Sequence, residues 1–417
     1  MLKIAVLVSG NGTNLQALLD AEKNNILRSG KIVQVISDNP KAYALERAKV
    51  AGIKFNVAKS EEEILKLLSI TNPGIIVLAG FLKILSKDFI NRCNAQIINV
   101  HPSLIPSFCG KGFYGLKVHE AVLKSGVKFT GATVHIVNEI PDGGKILSQK
   151  PVKVYDDDTP ETLQLRVMQR AEWIILPRTL EKLCKSKKIF KRDFKYPGRG
   201  IIIGTTPEGR KMFAYFIMGR SASSRARIFE RSGNDLIIKL TGDKNKNKNI
   251  DSSLILYSPV KVFEKNIIVT NGDQTDTIYN AMSAGKDFKN ALMEREHEPD
   301  APHFTPRISA VITPENSCYT MNILKKAGKF FYQYDFENGK GHLIHTYNHD
   351  VEPDQKLPSF RGRPKIINIP ENIGEFANNL WNELDENNKV ALYVRYYSSD
   401  MKNFEDRLFN KEDEKTS

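Results

Sequence analysis

The chain has 417 residues, 41% of them hydrophobic, and a formal net charge of +13 at pH 7; that length exceeds one ordinary domain and suits two of about 200 residues, each with a real core. Mean hydropathy is −0.35, and no apolar run approaches the ~18 residues of a membrane span, which argues against a helical membrane protein. The basic residues are dispersed among Asn and Glu rather than clustered, so acidic metabolites or a lysine-rich composition explain the charge better than nucleic acid does.

In chain order, Lys3-Ile-Ala-Val-Leu-Val8 is a buried parallel strand by its unbroken apolar run. It enters the small-residue loop Ser9-Gly-Asn-Gly-Thr-Asn14 and then an apolar-periodic helix from Leu15 to Glu22. Strand, small loop, helix is the geometry that aims backbone N–H groups and a helix N-terminus at a phosphate. The loop lacks the third glycine of a dinucleotide fingerprint and the lysine of a P-loop, so a monophosphate on Asn11, Gly12, Thr13 and Asn14 is expected, with a plain tight turn as the alternative. Further strands are predicted near 32–37, 75–79, 96–100, 129–137 and 145–154, and helices near 14–23, 41–51, 61–69, 83–92, 115–125 and 159–185. This alternation makes an α/β unit with a mostly parallel doubly wound sheet. Its ligand belongs where the phosphate loop meets a later strand end.

That strand end is Gln96 to Val100, which runs into Asn99-Val-His101 before Pro102 stops it. Strand alternation puts Asn99 and His101 on one face, and an amide donor beside an ionisable ring suits an oxyanion that forms and collapses. Asp142-Gly-Gly adds a carboxylate. The bland alternative is a strand-end turn with satisfied polar groups.

From Tyr196 the pattern changes to short strands: Ile201–Ile203, Phe213–Met218, Leu236–Leu240, Ser253–Pro259, Asn266–Val269, Arg307–Thr313, Ser317–Leu324, Phe330–Phe336 and Val390–Tyr397. Helices are predicted near 276–284, 286–294 and 371–386, an α+β arrangement without a repeat of the first half. The basic run Lys185 to Lys195 is taken as a linker, Gly242 to Asn249 as an exposed low-complexity loop, and Asn403 to Ser417 as a frayed charged tail. Cys93, Cys109, Cys184 and Cys318 lie far apart without CxxC pairing, and the chain starts in a strand with no signal peptide. Reduced thiols and a cytoplasmic location are expected. His342-Leu-Ile-His-Thr-Tyr-Asn-His349 has residues a metal could use, but Thr-Tyr-Asn and the preceding Gly339-Lys-Gly favour strand and loop, and no metal is expected. Gly219-Arg-Ser-Ala-Ser-Ser-Arg225 offers two guanidiniums and three hydroxyls for a phosphate or polarised carbonyl, or else an exposed basic turn. Asn271-Gly-Asp-Gln-Thr-Asp276 is a turn or helix cap in its own right.

Val8-Ser-Gly-Asn-Gly-Thr-Asn-Leu-Gln-Ala-Leu18, Ile36-Ser-Asp-Asn39, Val77-Leu-Ala-Gly-Phe-Leu-Lys-Ile-Leu-Ser86, Asn99-Val-His-Pro-Ser-Leu-Ile-Pro106, Gly131-Ala-Thr-Val-His-Ile-Val137 and Asp142-Gly-Gly together resemble phosphoribosylglycinamide (GAR) formyltransferase over residues 1–185. The loop Ser107 to Gly115 departs from that family's pattern, and the spacing near Glu172 is one residue longer. The resemblance implies the formyltransferase fold and formyl transfer from 10-formyltetrahydrofolate to the GAR amine. Asn99, His101 and Asp142 would be catalytic, with His101 held as imidazolium by Asp142, and Glu172 would hold a ribose hydroxyl. The pterin would lie against Leu78, Phe81, Leu82, Lys83, Ile136 and Pro141. Methionyl-tRNA formyltransferase, which shares the His-x-Ser-Leu-Leu-Pro type signature, stays open as another acceptor class; the phosphate loop favours the small ligand.

Over residues 196–400, Gly198-Arg-Gly, Arg220-Ser-Ala-Ser-Ser-Arg225, Thr270-Asn-Gly-Asp-Gln-Thr-Asp276 and Thr305-Pro-Arg-Ile308 resemble archaeal-type inosine monophosphate (IMP) cyclohydrolase. Ala301-Pro-His-Phe departs from its acidic loop. This resemblance implies an N-terminal-nucleophile-hydrolase-like αββα domain that closes formamido-AICAR ribotide (FAICAR) to IMP. Arg220, Arg307 and Glu298 would be catalytic, with Asp300 the alternative carboxylate, and Arg199, Ser221, Arg225, Asn271 and Asp276 would bind substrate. A non-catalytic nucleotide-binding module is the competing reading. The expected domains are 1–185, a linker 186–195, 196–400 and a tail 401–417. The expected partners are small phosphoribosylated substrates and folate, with no nucleic acid and no membrane; a homo-oligomer is compatible.

Overall fold

The computed structural model describes residues 1–190, 196–241, 257–301, 303–313, 317–348 and 356–413. The chain forms two compact units, Met1–Lys188 and Ile189–Ser417.

The first unit contains β1 Leu2–Val8, α1 Thr13–Lys23, β2 Gly30–Ser37, α2 Tyr43–Val50, β3 Lys54–Val57, α3 Glu61–Thr71, β4 Ile75–Leu78, α4 Lys87–Arg92, β5 Gln96–His101, α5 Leu116–Ser125, β6 Phe129–Ile136, β7 Ile146–Lys153, α6 Pro160–Val167, a π-helical turn Met168–Glu172 and α7 Trp173–Lys187. The sheet order is β3-β2-β1-β4-β5-β6-β7. Pairings from β3 through β5 are parallel, whereas β5–β6 and β6–β7 are antiparallel. Strand order therefore reverses between β1 and β4, and a crevice opens above their C-terminal ends. Both faces of the sheet are covered. One carries Leu15, Leu18, Leu163, Leu176 and Leu180 from the helices; the other carries Ile64, Leu68 and Phe89. Because central strands are buried on both sides, β1 is an unbroken apolar run.

Two expected helices differ. The 83–92 helix starts at Lys87, because Ser86 Oγ accepts from Phe89 N and caps it there. The 159–185 helix is broken by the π turn, whose i→i+5 ring holds one residue more than an α turn. This absorbs the extra residue noted before Glu172.

The second unit contains β8 Arg199–Thr205, β9 Lys211–Met218, α8 Ala222–Arg225, β10 Arg227–Ser232, β11 Asp235–Leu240, β12 Val260–Phe263, β13 Asn266–Thr270, α9 Gln274–Ser283, α10 Phe288–Ala291, β14 Arg307–Ile312, β15 Cys318–Lys325, β16 Gly328–Asp335, β17 Lys340–His345, β18 Lys365–Asn368, α11 Ile373–Glu383, β19 Lys389–Tyr397 and β20 Phe404–Asn410. Two antiparallel sheets result, β10-β11-β12-β13-β14-β15-β16 and β18-β17-β8-β9-β19-β20. Their inner faces share one core of Ile201, Tyr215, Phe229, Val269, Ile308 and Tyr393. Beyond them α11 packs Phe376, Leu380 and Trp381 on one outer face, and α9 and α10 pack Ile278 and Phe288 on the other. The layers are therefore helix, sheet, sheet, helix.

The expected charged tail is corrected. Residues 404–410 form an edge strand paired along β19, because Leu408 and Phe409 alternate onto the two cores. The interspersed charges are met by ion pairs from Arg210 to Glu405 and Arg231 to Asp406. Of the expected linker, Ile189 and Phe190 are buried in the second unit's core, and 191–195 lie outside the described residues. So do the 242–249 loop and most of the expected 253–259 strand.

Candidate active sites

The reversal of strand order in the first unit positions a cleft of about 670 Å³ lined by the phosphate loop, the ends of β4 and β5, the 110–115 loop, the 137–142 turn and the π turn. Gly12 caps α1 at φ 70°, a left-handed conformation, and a Cβ there would lie 2.6 Å from Ala44 Cβ. Asn11, Thr13 and Asn14 line the cleft beside it. Asn14 turns its amide inward, and its Nδ2 donates to Glu172 Oε2 at 2.6 Å. Glu172 is buried, and burial pushes its carboxyl up to about 7 against the lowering effect of Asn14.

Asn99 and His101 project together from β5. Asn99 Nδ2 lies 3.2 Å from His135 Nε2 and 3.4 Å from Asp142 Oδ1. His101 Nδ1 is 3.5 Å from Asp142 Oδ2, and its Nε2 donates to the Phe108 carbonyl at 2.9 Å. Asp142 holds φ 56° in the turn after β6 and accepts from the Gly110 amide at 2.8 Å. Burial raises the Asp142 carboxyl, but the contacts with His135, His101 and Gly110 outweigh it and hold it below the ordinary range. Burial lowers the His101 ring more than Asp142 and the Phe108 carbonyl raise it. The divergent 107–115 loop meets both catalytic groups through main-chain atoms, which explains why its side chains can differ.

Leu78, Phe81, Leu82, Lys83 and Pro141 line the cleft as expected; Ile136 does not, and Val137 and Ile140 take its place. Two residues of the site went unnoticed in the sequence. His135 stands opposite Asn99 in the β5–β6 register, a relation visible only once those strands are paired. His119 on α5 is fully buried against the cleft with neither ring nitrogen partnered among the described residues, and burial pushes it down to about 4.

In the second unit several groups meet at one end of the sandwich. Arg199 opens β8 and is bidentate to Glu298, at 2.8 Å and 3.1 Å, while also donating to the Asn271 carbonyl at 2.7 Å. Burial lowers the Arg199 guanidinium, but Glu298 and the phenols of Tyr257, Tyr215 and Tyr347 outweigh it and raise it well above its usual value. Arg307 opens β14, pairs with Asp273 and donates to Gln274 Oε1 at 2.9 Å. A Cβ on Gly272 would lie 2.6 Å from Gln274 Oε1, 2.8 Å from Arg307 Nη1 and 3.6 Å from Glu298 Oε1, so a side chain there would crowd all three groups. Arg220 lies over the Tyr196 ring, which stacks on Tyr347.

Other expected residues stand elsewhere. Ser221 is exposed and its Oγ caps α8 by accepting from Ser224 N; Arg225 is exposed beside it. Asp276 is exposed and paired with Lys261 at 2.6 Å. Asn271 Oδ1 accepts from Ile308 N and Gln274 Nε2 and its Nδ2 donates to the Pro306 carbonyl, so that amide braces the start of β14. Asp300 binds Thr305 through its backbone N–H and its hydroxyl and so shapes its own loop, leaving Glu298 as the carboxylate on Arg199. Asp273 and the buried Arg227 were not anticipated. Among the described residues no group of three or more His, Cys, Asp or Glu could hold a metal ion, and no helix is long and apolar enough to cross a membrane.

The family model described as formyl transferase matches residues 2–180, the unit whose switch-point cleft holds the amide, the imidazole and the carboxylate. The model described as IMP cyclohydrolase-like protein matches residues 196–401. The chain is 35% identical over 205 residues to phosphoribosylglycinamide formyltransferase of Haemophilus influenzae, covering 47% of this chain and 93% of that one. It is 34% identical over 200 residues to the chloroplastic enzyme of Vigna unguiculata, covering 46% of this chain and 64% of that one. A solved phosphoribosylglycinamide formyltransferase from Brucella melitensis aligns at 38% identity and TM-score 0.40, over 44% of this chain and 95% of that one. The chain belongs to the phosphoribosylglycinamide formyltransferase family and joins to it a region that matches the IMP cyclohydrolase-like model. The formyltransferase family implies a folate-type formyl donor.

Proposed function

We propose that the first unit transfers the formyl group of 10-formyltetrahydrofolate to the amine of GAR and that the second closes FAICAR to IMP. The observation carrying the first assignment is the convergence of Asn99, His101 and Asp142 in the cleft that also contains the phosphate loop. The apolar wall of Leu78, Phe81, Val137 and Ile140 fits a flat pterin. The GAR phosphate sits on the backbone of 11–14 at the α1 N-terminus, and Glu172 accepts from a ribose hydroxyl. The amine nitrogen attacks the formyl carbon, and the oxygen that gains charge receives hydrogen bonds from Asn99 Nδ2 and from His101 Nε2, which exchanges the Phe108 carbonyl for it. The carbon–nitrogen bond to the donor breaks, and one proton passes from the attacking amine to the leaving nitrogen through Asp142.

In the second unit a carboxamide nitrogen attacks a formamide carbon, with Glu298 taking one amide proton and Arg199 and Arg307 polarising the formyl oxygen; Glu298 returns that proton to the oxygen, the formamide nitrogen gives up its own, and the C–O bond breaks to release water as the C=N bond forms. Support comes from the Arg199–Glu298 pair and from Gly272, beside which both Glu298 and Arg307 lie. The helix–sheet–sheet–helix layering supports an N-terminal-nucleophile-hydrolase-like fold, used here without a free α-amino group.

Loss of one oxyanion donor costs about 2.7–4 kcal/mol. Asn99→Ala and His101→Ala should each lower kcat for GAR formylation by roughly a hundredfold or more, with little change in GAR binding. Near-normal turnover by either variant refutes the assignment.

A further inference from the structure

Arg227 opens β10, two residues before Phe229, so alternation places it on the face that looks into the space between the two sheets. It is 7% exposed. Its Nε donates to the Ser224 carbonyl at 2.8 Å and its Nη2 to the Met218 carbonyl at 3.4 Å. Neither acceptor is charged, and no carboxylate among the described residues pairs with Arg227. Of the other buried guanidiniums in this unit, Arg199 is neutralised by Glu298, and Arg395 is held by the hydroxyls of Tyr393 and Tyr397 and the Asn234 carbonyl. Arg227 is thus a buried guanidinium with no carboxylate partner among the described residues, and a ligand of opposite charge would offset its desolvation cost. On the same face of β10, Tyr215 stacks on Phe229 and joins hydroxyls with Tyr257 at 2.7 Å, and a pair of phenols so joined has one O–H left to give. Burial lowers the Arg227 guanidinium, and neighbouring Arg199 lowers it further, while the phenols of Tyr257, Tyr215 and Tyr196 oppose this.

We propose that Arg227, with the Tyr215–Tyr257 hydroxyl pair, seats the phosphate monoester of the second unit's ligand. This inference rests on the cyclohydrolase reading for the identity of the ligand, but not for its charge. A guanidinium fork and phenol donors match phosphate oxygens, whereas a neutral formyl or carboxamide group would leave the cation uncompensated. The division of labour follows: Arg227 holds the phosphate, and the charge-neutral Arg199–Glu298 pair faces the reacting amide. The exposed Ser221 and Arg225 are not needed.

The test uses the full chain, with calorimetric titration of IMP and of inosine, which lacks the phosphate. Wild type should bind IMP at least thirtyfold more tightly than inosine. Arg227→Gln should collapse that preference to a few-fold by weakening IMP alone, and should raise the FAICAR KM far more than it lowers kcat. Arg227→Lys should recover part of the IMP affinity, since it restores charge without the fork. Removing an uncompensated buried cation should also leave the thermal midpoint of the ligand-free chain unchanged or raised, which a purely structural arginine would not allow. Retained IMP preference in Arg227→Gln overturns the proposal, as does equal binding of IMP and inosine by wild type. If Arg227→Gln fails to fold, full IMP affinity in Arg227→Lys together with no inhibition of IMP binding by inorganic phosphate overturns it. An Arg227-dependent IMP preference in a chain that does not cyclise FAICAR would sink the cyclohydrolase reading and leave the phosphate seat standing.

Discussion

At the residue scale, Glu172 shows how one buried group ties substrate binding to pH. Burial pushes its carboxyl up to about 7 with Asn14 Nδ2 as its hydrogen-bond donor. The folded value lies above the unfolded one of 4.5, so the fold favours the protonated form, and stability is lost as pH rises from 4.5 through 7. By pH 8 the shift amounts to about 3 kcal/mol. Glu172→Gln removes that charge and keeps an acceptor. It should raise the first unit's thermal midpoint by several degrees at pH 8 and leave it nearly unchanged at pH 4.5. The same substitution should raise the GAR KM roughly tenfold, because a carboxylate accepts a ribose hydroxyl more strongly than an amide does. Scanning fluorimetry at the two pH values, beside steady-state kinetics, decides this; an equal midpoint change at both pH values would mean that the charge is not the cause. Asn99, His101 and Asp142 were legible from the sequence because strand alternation alone puts the first two on one face and a Pro-stopped strand end is a local signal. His135, Asp273 and Arg227 were not, since each becomes part of a site only through pairing or packing with residues far along the chain.

At the element scale, helices and central strands were legible wherever periodicity was strong, and the misses have separate causes. Strand β20 was hidden by its Glu405-Asp-Arg407 core, charges that an edge strand tolerates because solvent and cross-strand partners meet them. The π turn was hidden because its residues continue a helical pattern. Ser221 and Arg225 stand on a capped turn of helix at the surface, apart from the Arg199–Glu298 pair. Ser221→Ala and Arg225→Ala should each change FAICAR cyclisation less than threefold, measured by IMP formation; a hundredfold loss in either would restore them to the site. Strand β20 also ties the two sheets together. Asn410 Oδ1 accepts from Phe229 N at 2.8 Å and its Nδ2 donates to the Phe229 carbonyl at 3.2 Å. Asn410→Leu leaves both main-chain groups buried without partners and should destabilise the second unit by about 2–4 kcal/mol. Urea melts followed in that unit should show the loss; an unchanged midpoint would mean that water replaces the amide.

At the scale of the whole molecule, each candidate site is assembled from within one unit. The described partners of Asn99, His101, Asp142 and Glu172 all fall within 1–188, and those of Arg199, Glu298, Arg227 and Arg307 all fall within 189–417. The two folds also solve the burial problem differently. A doubly wound sheet opens a cleft where strand order reverses, while a two-sheet sandwich gathers strand starts at one end. Nothing in either solution requires a side chain from the other. The two activities should therefore separate cleanly by mutation. Arg199→Met leaves Glu298 buried without its cation and removes a donor from the reacting end, so IMP formation should fall at least a hundredfold. GAR formylation by the same protein should stay within twofold of wild type. His101→Ala should give the mirror image. Both rates are measured on each full-length variant, because a folding defect confined to one unit would also spare the other activity. Circular dichroism and a second-unit melt on Arg199→Met distinguish lost chemistry from lost fold. A fall in formylation alongside cyclisation in a folded Arg199→Met protein would show that the units are coupled.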